Sequence, residues 1–285
     1  MRLCRYDDDR LGLVRDDRVF DVTAVLGGLT PPPVGDPLFA ALGSAGPALG
    51  RAVEAAAAAA PSRALAEVRL SSPVRKPGKI VAAPVNYMAH LNEVNDSAEL
   101  HHGNLINEIR RAGLFLKAPS SLIGPSDRVR QRFLDRRTDH EVELAVVIGR
   151  TADRVPAEAA LACVAGYCIG LDITLRGPEE RSFRKSIDTY TVLGPWVVTA
   201  DEFGPPTDVG LRLDVNGEPR QDANTRDLIL PVAELIAFAS SFYTLHPGDV
   251  LITGTPEGVG PIRPGDVMNA SIDRIGSISV AVEEA

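Results

Sequence analysis

The chain has 285 residues, 45% of them hydrophobic and 24% charged, the make-up of a globular protein with one large domain and an appendage, or two domains. Its 38 acidic against 30 basic residues leave a net charge of −8. That argues against general nucleic-acid binding and leaves any anionic ligand to be held by local Lys, Arg or metal. No apolar run is long enough to span a bilayer, and the first residues lack a signal-peptide core. Cys4, Cys163 and Cys168 have no zinc spacing and read as reduced, buried thiols. A cytoplasmic protein without nucleic-acid or membrane partners is the expectation.

Taken in chain order, Arg2 to Tyr6, Leu11 to Val14 and Arg18 to Val22 are short β-type runs separated by Asp-rich turns, which predicts an antiparallel meander. Pro31, Pro32 and Pro33 end it. Two Ala-rich segments follow, and the run Ala55 to Ala60 has high helix propensity. The stretch 70–79 reads as a linker, giving a small N-terminal domain over 1–72 and a main domain over 73–285. Next comes Asn86-Tyr87-x-x-His90-x-x-Glu93. On a helix, His90 and Glu93 share a face, and a carboxylate beside imidazole fixes its tautomer for general-base work. An ordinary surface pair is the alternative. The polar segment 95–113 reads as a lid that orders over a bound substrate, or as a permanently ordered helix in which Leu105, Ile106 and Ile109 share a face.

The stretch Asp139-His140-Glu141-Val142-Glu143-Leu144-Ala145-Val146-Val147-Ile148-Gly149 predicts a buried strand. Side chains two apart on a strand project to one face, so Glu141 and Glu143 point together. A second apolar strand, 167–175, is interrupted by Asp172. Three carboxylates without clustered His or Cys favour a hard divalent cation, Mg²⁺ or Mn²⁺, or Ca²⁺, over zinc. A solvated edge strand is the alternative for Glu141 and Glu143. Helical patterns are read at Pro156 to Ala165 and at Pro231 to Tyr243. In the second, Val232, Leu235, Ile236, Ala239 and Phe242 form a core-facing stripe.

Further motifs follow in order: Phe115-Leu116-Lys117-x-Pro119-Ser120-Ser121, Lys185-Ser186-x-Asp188-Thr189, Leu193-Gly194-Pro195-Trp196 and Thr253-Gly254-Thr255-Pro256-x-Gly258-Val259-Gly260. With the His90 and Glu141 segments, this series resembles the fumarylacetoacetate hydrolase superfamily over residues 79 to 285. The resemblance implies a mixed, β-rich α+β fold, a β-sandwich roll with a small N-terminal β/α domain, assembled as a homodimer. It also implies a Mg²⁺ or Mn²⁺ site of Glu141, Glu143 and Asp172 acting on 2-oxo or 1,3-dicarbonyl acids. In hydrolytic members His90 and Glu93 would activate water, with Lys117 holding that water or the oxyanion. Tyr87, Arg176, Lys185, Gly254 and Thr255 would lie at the substrate, with Gly254 or Thr255 offering a backbone N–H or a hydroxyl.

Some residues depart from the family pattern. Leu171 stands where many relatives carry Asn, and the stretch 177–184, Gly-Pro-Glu-Glu-Arg-Ser-Phe-Arg, alters the charge beside the pocket. Arg181 and Arg184 there could meet a second carboxylate or lie in solvent. Arg176 could instead pair with Glu179 or Glu180. His101 and His102 read as surface residues. The first reading is a metal-dependent hydrolase cleaving a carbon–carbon bond in an acylpyruvate or related diketo acid. The alternatives are a decarboxylase or isomerase on the same site, and a non-catalytic metal-binding relative.

Overall fold

The computed structural model describes residues 1–44, 47–102 and 107–285. At the N-terminus, Arg2–Tyr6, Arg10–Arg15 and Arg18–Asp21 form the expected meander. Its turns carry Asp7, Asp9 and Asp16 at positive φ, a conformation that Asp tolerates better than most residues. The Ala-rich segments form the helices Pro37–Ser44 and Pro47–Ala59. Leu70 and Ser71, inside the stretch read as a linker, pair with Arg2–Tyr6. That strand in turn pairs with Thr191–Thr199, so the N-terminal strands extend the central sheet.

Among the described residues this sheet has twelve strands. From Arg2–Tyr6 it continues through Thr191–Thr199, Val164–Asp172, Val142–Ile148, Val250–Ile252 and Ile80–Ala82 to Phe115–Lys117. Val142–Ile148 and Val164–Asp172 are buried throughout, as their near-continuous apolar sequence requires. A five-stranded sheet lies against them: Leu211, Leu213, Met268 and Ala270 share one core with Leu144, Val146 and Ile169. The fold is mixed α+β and β-rich, as the resemblance implies. No helix among the described residues is long and apolar enough to cross a membrane.

The third sheet, of three strands, sets the geometry of the site. Thr138–His140 pairs there with Thr174–Leu175 and with Gly260–Pro261. Glu141 therefore sits between two strands and not within one, where the chain leaves the small sheet for the large one. The paired strand turns at the same level, between Val164–Asp172 and Thr174–Leu175. The Asp172 amide donates to the Glu141 carbonyl across this corner, at 2.9 Å.

Two helical expectations need correction. The segment read as a helix from Pro156 to Ala165 is helical over Ala157–Ala160 and tightens to a 3₁₀ turn over Leu161–Cys163. Val164 and Ala165 already belong to the central strand, where pairing to the sheet overrides alanine's helix propensity. The helix Val232–Phe242 buries Val232, Leu235, Ile236 and Ala239 as expected, but Phe242 is 71% exposed. It lies past the end of the core and meets Phe238 edge-on at 5.5 Å. In the segment 95–113, Ala98–His101 and Ile109–Ala112 are helical, with Leu100 and Ile109 buried. Gly103, Leu105 and Ile106 lie outside the described residues. Cys4, Cys163 and Cys168 are buried free thiols.

Asn86 ties three segments together behind the site. Its buried amide donates to the carbonyls of Leu230 (3.0 Å) and Thr253 (2.8 Å) and accepts from the Leu230 amide (2.7 Å). Removing it strands three buried backbone groups. Asn86→Ala is expected to cost about 3 kcal/mol, since each unsatisfied buried group costs roughly 1–3 kcal/mol. The midpoint of chemical denaturation checks this.

Candidate active site

Glu141, Glu143 and Asp172 are fully buried, and each offers a carboxylate oxygen within 4.8 Å of the others. Two of them are matched by cations. Lys185 Nζ bridges Glu141 Oε2 (2.7 Å) and Asp172 Oδ2 (2.6 Å), and Lys117 Nζ donates to Asp172 Oδ1 and to the Lys185 carbonyl. Arg176 donates through Nε to Asp139 Oδ2 (2.7 Å) and through its terminal nitrogen to Glu141 Oε1 (2.9 Å). It does not pair with Glu179 or Glu180: Glu179 takes Arg136, and the corner of the fold delivers Asp139 to Arg176 instead.

Glu143 is different. Oε2 accepts the Gly254 amide at 2.6 Å, and Oε1 has no hydrogen-bond partner among the described residues. Burial, then the neighbouring Asp172 and Glu141 charges, push its carboxyl well above the usual carboxylate range. Burial pushes Glu141 the same way, but Lys185 and Arg176 outweigh it and hold Glu141 below that range. The protein's own cations thus serve Asp139, Glu141 and Asp172 and leave Glu143 with an unused oxygen. An all-oxygen donor set with one orphaned carboxylate oxygen fits Mg²⁺ or Mn²⁺.

His90 lies beside this cluster on the helix Met88–Asp96, within electrostatic reach of Glu141. It is buried, and its Nδ1 meets Glu93 Oε2 at 2.8 Å. Glu93 Oε1 accepts the Gly258 amide at 2.9 Å. Gly258 holds φ at +90°, and any Cβ there would drive into the Arg220 carbonyl. Tyr87 caps the same helix, with its ring buried and its hydroxyl without a hydrogen-bond partner among the described residues. Burial, with Glu143 nearby, pushes that hydroxyl far above its ordinary range, so it stays a neutral donor.

Gly254 and Thr255 fasten the metal side of the site. Gly254 holds φ at +93°, its Cβ position pressed against Asn86, which aims its amide at Glu143. The Thr255 hydroxyl donates to the Val142 carbonyl (2.9 Å) and accepts from Gln221 (2.8 Å). Both groups are thus engaged with the protein, where the sequence reading offered them to the substrate. Lys117 is engaged likewise, with burial lowering its pKa against the pull of Asp172.

The sequence model of the fumarylacetoacetate (FAA) hydrolase C-terminal family matches residues 79–283. The chain belongs to this family. It is 55% identical to a maleylpyruvate hydrolase of Aquipseudomonas alcaligenes, with 99% of each chain covered. A crystal structure of maleylpyruvate hydrolase from Sphingobium sp. SYK-6, in complex with manganese(II) and pyruvate, matches over the whole of both chains with a TM-score of 0.85 and 40% identity. The 5-carboxymethyl-2-hydroxymuconate delta-isomerase of Mycobacterium smegmatis matches over the same extent with a TM-score of 0.73 and 31% identity.

Sequence reasoning passed over Asp139, His140 and Gln221. Asp139 shares strand parity with Glu141 and Glu143, a signal that could have found it. Gln221 carries no local signal: it reaches in from Glu218–Asn224 to hold the Val142 amide (3.1 Å), His140 Nδ1 (3.2 Å), Thr255 and the Pro256 carbonyl (2.9 Å).

Calorimetric titration with Mn²⁺ tests the site. Binding is expected to release a proton from Glu143 at mildly acidic pH, below its raised pKa, and to weaken as pH falls. Glu143→Ala is expected to abolish binding. A binding enthalpy independent of the buffer's ionisation enthalpy, or undiminished binding by the variant, would contradict the assignment.

Proposed function

We propose that this protein is a divalent-metal-dependent hydrolase that cleaves the carbon–carbon bond of acylpyruvates, releasing pyruvate and a carboxylic acid. The observation that carries the proposal is a buried, carboxylate-anchored histidine beside an acidic cluster with an unused carboxylate oxygen. A Mg²⁺ or Mn²⁺ ion held by Glu141, Glu143 and Asp172 would supply Lewis acidity toward the 2-oxo acid end of the substrate. A purely structural relative would need neither His90 nor Glu93.

The remaining chemistry belongs to side chains. Glu93 accepts the Nδ1 proton of His90, a tautomer assigned from this contact, which leaves Nε2 free to take a proton from water. The water oxygen bonds to the distal carbonyl carbon. The bond between that carbon and the methylene then breaks, its electron pair staying on the methylene. Protonation of the methylene gives pyruvate, and the acyl group leaves as a carboxylate. One water is consumed and no redox partner is needed. The Tyr87 hydroxyl, without a partner among the described residues, would donate to a substrate oxygen. Lys117, Lys185 and Arg176 pair with Asp172 and Glu141 and hold them aligned. Gly254 and Thr255 do the same for the Glu143 strand.

The likeness to maleylpyruvate hydrolases supports hydrolysis over isomerisation, and that to the isomerase keeps the second reaction as the competing outcome. We further propose a homodimer working in the cytoplasm. The exposed Phe133, Leu134 and Phe183 offer apolar surface for a second copy, and reduced buried cysteines suit that compartment.

His90→Ala is expected to lower kcat by about 100- to 10,000-fold, the range for loss of a general base. Mn²⁺ affinity should stay within about threefold, because His90 is no ligand in this account. Turnover assays paired with calorimetry check both. Retained turnover, or a loss confined to metal affinity, would overturn the role given to His90.

A further inference from the structure

Arg137 and Arg176 face each other across two paired strands. The register that sets Thr138 against Leu175 and Asp139 against Thr174 brings them opposite, and the Arg176 amide donates to the Arg137 carbonyl at 2.8 Å. Like charges in that relation repel. Asp139, two residues along on the same face as Arg137, takes one guanidinium on each oxygen. Its Oδ1 accepts Arg137 Nε at 2.8 Å and its Oδ2 accepts Arg176 Nε at 2.7 Å. Each arginine then reaches onward with a terminal nitrogen. Arg176 donates to Glu141 Oε1 and Arg137 to Glu99 Oε2, both at 2.9 Å. Five side chains of alternating charge thus run from the acidic cluster to the short helix Ala98–His101. The inner members are buried, whereas the Arg137 side chain is 28% and that of Glu99 78% exposed.

The far end of this chain is tied to the acid/base side of the site. Leu100 packs with Val94, on the helix of His90, and with Val259, beside the Gly258 amide that holds Glu93. We propose that Asp139 and Arg137 are positioning residues that couple Glu141 to the helix Ala98–His101. A divalent cation on Glu141 and the docked helix then favour each other. The sign follows from the alternation, since hydrogen bonds in a chain polarise one another. A cation drawing on Glu141 weakens its hold on Arg176, which turns more fully to Asp139. Asp139 then holds Arg137 less, and Arg137 holds Glu99 more. By reciprocity, Glu99 in place raises the affinity for the cation by the same factor. This rests on Glu141 as a metal ligand and not on the reaction catalysed.

A double-mutant cycle read by calorimetric titration with Mn²⁺ on the full chain tests the coupling. Glu99→Gln, at an exposed position, is expected to weaken Mn²⁺ binding by about two- to fivefold, the reach of one exposed ion pair. In protein already carrying Arg137→Met, the same change should leave the affinity within about 1.3-fold, because the connection is cut. Equal weakening in both backgrounds would show that the Glu99 charge acts through space, and would overturn the coupling. So would an unchanged affinity on Glu99→Gln alone. Hydrogen exchange gives a second readout that a merely structural arginine would not move. Mn²⁺ should slow exchange of the Leu100, His101 and His102 amides by about two- to fivefold in the wild type, by reciprocity, and leave it unchanged in Arg137→Met. Exchange slowed equally in both proteins, or in neither, contradicts the proposal. A wild type that binds no Mn²⁺ removes the metal site and the coupling with it, whereas intact binding with a failed cycle removes the coupling alone.

Discussion

Four carboxylates, those of Asp139, Glu141, Glu143 and Asp172, are packed into the interior of this protein against three buried cationic side chains, Arg176, Lys117 and Lys185. Burying charge is tolerable only when it is paired and hydrogen-bonded, so the arrangement constrains everything around it. Arg176 and Lys185 each span two acids, and Lys117 reaches Asp172 from the end strand of the large sheet, Phe115–Lys117. Among the described residues, Glu143 has one amide donor and one oxygen without a hydrogen-bond partner. A divalent cation held there would balance that carboxylate, and the surrounding residues keep the three acids together.

That readiness comes from backbone geometry more than from side-chain reach. The corner at Glu141 and Asp172, where two paired strands pass from the large sheet to the small one, turns a simple Glu-x-Glu alternation into a convergent ligand set. Gly254 and Gly258 adopt conformations closed to other residues without strain, and each aims an amide at a carboxylate, one at Glu143 and the other at Glu93. Asn86 and Gln221 then tie these turns to the helix of His90 and to the Val142 strand. His90 with Glu93 and the three clustered acids are therefore fixed to one frame, which is what catalysis by positioned groups needs.

Much of this was legible in the sequence because the informative features are local. Uninterrupted apolar runs announced the two central strands, and strand parity put Glu141 and Glu143 on one side. A spacing of three placed His90 over Glu93. What was not legible depends on partners distant in the chain. Arg176 has acids three and four residues away, yet it pairs with Asp139 and Glu141, which the corner brings to it. Phe242 keeps the helical period but lies where the core has ended. Ala165 favours a helix in isolation and is drawn into a strand by its neighbours. Gln221 sits on an otherwise exposed strand, and nothing nearby hints that its amide reaches the site.

In the proposed reaction this frame delivers water to a carbonyl carbon and breaks the adjacent carbon–carbon bond. The most direct test is turnover of maleylpyruvate by Mn²⁺-loaded protein in ¹⁸O-labelled water, with products identified by mass spectrometry. Pyruvate and a dicarboxylic acid are expected, with the label incorporated by catalysis in the acid's new carboxylate and no turnover once the metal is chelated. Release of CO₂, a product of unchanged mass, or undiminished turnover in chelator would contradict it.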